Sequence, residues 1–184
     1  MKKFLLAPAL AALAMFVFGA LFWTSPLPYR ALSTVTDNAA ASDVLGRLFP
    51  ATGTYLIPGP EMKDQAQLTA LLERGPSAEV RFIREGHPVM EPRVFLLGYL
   101  HYFAVALILG FLMEKAGPSF KGYSGRVQFS AGVGLAGAVL ICLSNPIWWH
   151  HPWGWELMTA LYAVLVFTVG GLVLARFFTP RPAA

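Results

Sequence analysis

Residues 127–149, VQFSAGVGLAGAVLICLSNPIWW, contain no charged side chain. Crossing a bilayer core takes about 20 apolar residues, and within it the backbone must satisfy its own hydrogen bonds, so such a run reads as a transmembrane helix. Three further apolar blocks, residues 4–23, 94–113 and 157–177, are long enough to do the same. The expected fold class is therefore an all-α membrane protein, a four-transmembrane-helix bundle with a small α+β extracytoplasmic segment between helices 1 and 2. The boundaries read as helix 1 over 1–24, the exported segment over 25–92 and a three-helix transmembrane region over 93–184. Composition agrees, since only 13% of the residues are charged against roughly 25% in soluble domains.

Small residues suggest how the spans pack. Ser130, Gly134 and Ala138 fall four apart, with Gly132 and Ala136 on an adjacent row, and such faces let helices approach closely. The third span is accordingly expected at the packing centre. The first begins with Lys2 and Lys3 like a secretory signal, but its apolar part is about twice a ~7–15-residue signal core. Phe18, Leu21, Phe22 and Trp23 stand where a cleavage site needs small residues, so an uncleaved signal anchor is expected.

The polar stretch between the first two spans carries its own signals. Asp37 or Ser42 is placed to cap a short helix running to Leu48, and residues 53–57, GTYLI, read as a strand closed by Pro58-Gly59-Pro60. Residues 61–73 carry helical spacing in Met62, Leu68, Leu71 and Leu72, ended by Gly75-Pro76. Ala78, Val80 and Phe82 alternate with Glu79 and Arg81 as in a half-buried strand.

Orientation follows from the short loops. Lys2, Lys3, Lys115, Lys121, Arg126, Arg176 and Arg181 fall on one side, whereas the third-to-fourth connection WWHHPWGWE has no Lys or Arg. The basic side is expected to be cytoplasmic, with both termini inside. Trp23, Tyr29, Trp148, Trp149, Trp153 and Trp155 then form an outer aromatic belt. The net charge of +4 is spread beside helix ends rather than in blocks, which excludes nucleic acid as the implied partner. The single cysteine, Cys142, rules out an intrachain disulfide.

Few residues point to chemistry. His101 lies eight positions into the second span, and intramembrane ionisable groups usually face a bundle interior. Two readings compete: a neutral imidazole bonded to Ser144, Asn145 or Tyr99, or a ligand or proton-relay group. His150 and His151, with Glu156 beyond them and Asn145 before, form the second candidate polar site, since imidazole and carboxylate are metal donors. Adjacent histidines in an extended loop point in opposite directions, and an interfacial loop is the plainer reading. No cofactor is expected; haem between His101 and a loop histidine is the alternative, opposed by their different depths, and any metal is unknown. Arg84 and Arg93 form a possible anion site at the outer end of the second span, against the plainer reading of surface ion pairs. The chain has no Gly-rich phosphate loop, HExxH, GxSxG or CxxC, which lowers the expectation of a classical enzyme.

The sequence FGALFWTSPLP ending the first span, then GTYLIPGP, then GHPVMEPR leading into the second, resembles small four-span bacterial inner-membrane proteins of uncharacterised function. Phe18 stands where those proteins carry a tryptophan, and the histidines are not part of their pattern. The resemblance implies a bacterial inner-membrane location and carries over no activity and no catalytic residues. Three functions are open on this reading. The favoured one is a non-enzymatic accessory or assembly partner in contact with lipid and with other membrane proteins or itself. The others are a haem- or metal-binding redox subunit, and a small transporter or lipid-binding protein.

Overall fold

The computed structural model describes residues 2–178, with side chains from residue 5 onward apart from residue 118. Arg181, counted above among the basic residues, lies outside the described residues. Four helices are long and apolar enough to cross a membrane: residues 5–24, Pro92–Lys115, Gly122–Trp148 and Trp153–Phe177. The chain divides into two units, one made of residues 1–33 and 91–184 and the other of residues 34–90.

The first unit holds the long helices α1 (Lys2–Thr24), α5 (Pro92–Lys115), α6 (Gly122–Gly137) and α8 (Trp153–Phe177), with the short helices α2 (Pro26–Tyr29) and α7 (Ser144–Trp148). Proline sits where helices begin: at the start of α2, where Ser25 accepts the Leu27 amide, and at the start of α5. There the missing N–H is one the helix would leave unpaired anyway. Pro146 falls within the third span, and the helix meets that interruption with a π turn over Ala138–Cys142, in which Leu143 N donates to Ala138 O at 3.1 Å. The run expected as one regular helix over 127–149 is thus three segments that begin at Gly122.

Packing follows the small residues. α1 lies against α5 and α8, and α6 lies chiefly against α8. The third span is therefore not the packing centre: α1 and α8 occupy that place, and α6 flanks them. Ala7, Ala11 and Met15 line the buried side of α1, joined by Ala106, Leu109 and Met113 of α5 and by Val166 and Leu174 of α8. Four-residue spacing brings Ala7, Ala11 and Met15 onto one stripe. On α6, Ser130, Gly134 and Ala138 are all buried, and Ser130 Oγ donates to Phe167 O at 2.6 Å. A Cβ at Gly134 would stand 2.7 Å from Phe167 Cβ, and one at Gly171 would stand 2.5 Å from Ser130 Cβ. The two helices are close because Gly134 leaves room for Phe167 and Gly171 leaves room for Ser130. Gly132 and Ala136 are exposed, and a Cβ at Gly132 would meet nothing within 4 Å.

The second unit runs α3 (Asn38–Leu48), β1 (Gly53–Ile57), α4 (Gln65–Arg74) and β2 (Ala78–Phe82). β1 and β2 pair antiparallel with Gly53 opposite Phe82 and Ile57 opposite Ala78. Asp37 caps α3 by accepting the Ala40 amide at 3.0 Å. α4 starts at Gln65 rather than 61, because Asp64 accepts the Gln67 amide at 3.0 Å and so defines the first turn. It ends at Gly75, whose φ of +63° only glycine adopts at little cost. Phe49 is buried between Tyr55 and Phe82, at ring-centroid distances of 4.4 and 5.4 Å.

Candidate functional site

The densest polar cluster forms where α7 turns into α8. Glu156 lies in the first turn of α8 and is 7% exposed. Its Oε2 accepts from Asn145 Nδ2 at 3.0 Å, and its Oε1 lies 3.2 Å from His151 Nδ1. The backbone completes the arrangement: Asn145 O accepts the amides of Trp149 at 2.9 Å and His151 at 3.4 Å. A carboxylate here also meets the positive end of the α8 dipole. His150 takes φ +56°, the left-handed region, and that reversal leaves its own ring exposed while the next residue faces Glu156. Of the residues singled out from sequence, the structure therefore gathers Asn145, His151 and Glu156 and leaves His150 outside.

Chemically this cluster is a clamp. It joins the end of one span to the start of the next, and each contact is a neutral or charge-assisted hydrogen bond. Among the described residues, no group of three or more His, Cys, Asp and Glu is placed to hold a metal ion.

His101 stands elsewhere. It is exposed on α5, and its ring lies 5.3 Å from that of its neighbour Tyr102. The partners expected for it are engaged differently: Asn145 with Glu156, Ser144 Oγ with Ile141 O at 2.9 Å, and Tyr99 OH with Ala9 O at 3.4 Å. An inward His101 locked to Asn145 is thus not what the chain forms. His101 shares one face of α5 with the exposed Val94, Leu97, Ala104, Ile108 and Phe111, which follow at spacings of three and four, and Phe95, Leu96, Leu100, Leu107 and Leu112 are exposed beside that row. Within the four long helices and away from their ends, His101 is the one exposed His, Asp, Glu, Lys or Arg among the described residues.

Arg126 is the residue that the loop reading missed. It belongs to α6, is 1% exposed, and its Nη1 donates to Gly122 O at 3.1 Å while the guanidinium lies 5.9 Å from the Phe120 ring centroid. Nε and Nη2 are buried without a hydrogen-bond partner among the described residues. The signal was present in the sequence, because Arg126 precedes Ser130, Gly134 and Ala138 on the same four-residue row.

Tyr102 and Tyr162 join α5 and α8 by a hydroxyl-to-hydroxyl hydrogen bond. The approach is possible because Gly19 of α1 faces both oxygens, and a Cβ there would stand 2.7 and 2.8 Å from them. Trp23, Phe18 and Phe22 ring Tyr162 at centroid distances of 5.0, 6.1 and 5.0 Å.

In the second unit, Arg84 Nη1 donates to Gly46 O at 3.0 Å and Phe49 O at 2.6 Å, closing the C-terminal end of α3. Its backbone amide donates to Thr52 Oγ1 at 2.9 Å, and Thr52 in turn donates to Glu85 Oε2 at 2.5 Å. That hydroxyl, followed by a backbone amide and the Arg84 charge, holds the Glu85 carboxyl below its ordinary range. Arg84 is thus committed to the architecture of its own unit, and Arg93 is exposed in the first turn of α5. No family model matches the chain, and neither a curated protein nor a solved structure matches it.

Proposed function

We propose that this chain is a multi-pass integral protein of a bacterial inner membrane that acts, without catalysis of its own, as an accessory or assembly partner in a membrane complex. The observation that carries this reading is His101. It lies nine residues beyond Pro92, so at about 1.5 Å per residue it sits roughly 13–14 Å into the span. An imidazole held at that depth against hydrocarbon loses its hydrogen bonds to water and gains none from lipid. A protein surface on that face of α5 supplies what the isolated chain lacks.

Charge distribution supports the orientation in this proposal. Lys115, Lys121 and Arg176 close α5, precede α6 and close α8, whereas no Lys or Arg occurs from Trp148 to Glu156. Both termini are then cytoplasmic, and residues 34–90 are exported. Photo-cross-linking in native membranes tests the association. A benzophenone side chain in place of Ile108, which is 61% exposed, is expected to yield discrete protein adducts. Adducts with lipid alone would overturn the reading.

A further inference from the structure

We propose that the surface covering this face of α5 is a second copy of the same chain, packed in parallel along Val94, Leu97, His101, Ala104, Ile108 and Phe111. The inference rests on the reading just given, that His101 faces protein, and identifies the partner. Spacing is the first argument. Within the broader exposed surface of α5, the row that contains His101 has the intervals 3, 4, 3, 4 and 3 that a two-stranded helical seam requires. Leu97 and Ile108 are 51% and 61% exposed, so the helices packed on α5 among the described residues leave this row open.

The second argument is self-complementarity. Imidazole in its neutral form carries one donor and one acceptor, so two such rings at the same depth satisfy each other. All copies of one chain enter the membrane in the same orientation, so a two-fold axis along α5 places each His101 opposite the other without further design. A different partner would need its own polar side chain at that depth and angle. Ala104, three residues on, has a small side chain on the same face and lets the two helices approach within hydrogen-bonding reach of the rings. A single polar residue within an apolar seam also fixes register, since any slip strands both rings in hydrocarbon.

The test uses full-length protein in which Cys142, the only cysteine, is replaced by alanine. Leu97→Cys and Ile108→Cys are introduced one at a time, purified and reconstituted in liposomes at low density, then cross-linked with a short thiol reagent. Homodimers are expected at both positions and not with Leu140→Cys, a control on the third span that is 74% exposed. His101→Leu is expected to weaken the dimer about three- to tenfold, as loss of an interhelical hydrogen bond in a membrane does, and His101→Asn to restore most of it. An unchanged dimer in His101→Leu overturns the pairing of the two rings. Cross-links at the seam only in native membranes, and only to another polypeptide, overturn the self-association and leave the accessory role standing. No cross-link in either setting overturns both, and a homodimer at Gly132→Cys in place of the α5 positions moves the interface to α6.

Discussion

Gly134→Ala adds one methyl group to the α6 surface, two residues from a glycine where the same change should do no harm. The new Cβ would lie 2.7 Å from Phe167 Cβ and 3.1 Å from Ala163 O, both atoms that cannot swing away. Restoring ordinary carbon contacts of about 3.5–4.0 Å requires α6 and α8 to part by roughly 1 Å. The Ser130 Oγ bond to Phe167 O, now 2.6 Å, would then stretch to about 3.6 Å and cease to be a hydrogen bond. Overpacking costs about 1–3 kcal/mol, and the lost interhelical bond about 0.6–1.7 kcal/mol. Alanine's better helix propensity returns about 0.8–1 kcal/mol. The net expectation is a loss of roughly 1–4 kcal/mol. Gly132→Ala keeps only the favourable part, because nothing lies within 4 Å of its Cβ. The assay is reversible unfolding by dodecyl sulfate titration in mild-detergent micelles, following helical signal. A Gly134→Ala protein as stable as Gly132→Ala would refute the close-packed interface.

Other perturbations test separate parts of the structure. Arg126→Met is expected to raise stability by about 1–3 kcal/mol, because it removes buried donors that have no partner, while Arg126→Ala lowers it by opening a cavity; a destabilised methionine variant in the same titration would show that the guanidinium has a role this packing does not explain. Glu156→Ala removes the acceptor used by Asn145 and His151, and hydrogen exchange should show faster opening of the Trp149 and His151 amides with a loss of about 1–3 kcal/mol of local stability. Glu85 gives a pH dependence of known sign. Its folded carboxyl titrates below the ordinary range, so its contribution to the second unit is present at neutral pH and is lost as pH falls through the folded value. Protection of the β1–β2 amides, corrected for the intrinsic pH dependence of exchange, should therefore fall on acidification, and Thr52→Val, which removes the leading cause, should diminish that response; an unaltered pH profile in the valine variant would count against the assignment.

Much of this molecule was readable without coordinates, for reasons that particular residues make plain. Four runs of apolar residues can satisfy their backbones in only one way, so helices of membrane-spanning length follow from length and composition. The β1 and β2 boundaries, Gly53–Ile57 and Ala78–Phe82, follow from alternation and from flanking glycine and proline, which act within a few residues of chain. Asp37 and Gly75 are equally local, since a cap needs only its own next turn. The row Ser130, Gly134, Ala138 marked a face for close approach because the helical period fixes which residues share a side.

What sequence left open depended on where those faces point. Sequence determined that His101 would lie inside a span, but only tertiary packing decided that α1 covers the other side of α5 and leaves His101 outward. It determined that Arg126 stands near a helix start, but burial beside Phe120 turned a residue of an expected loop into an enclosed, half-satisfied cation. Asn145, His151 and Glu156 were visible as candidates, yet their convergence required His150 to reverse the backbone at φ +56°. The physical reason is common to all three. Local hydrogen bonding and solvent preference set an element's existence from its own residues, whereas the rotation of that element about its axis is set by the side chains of others.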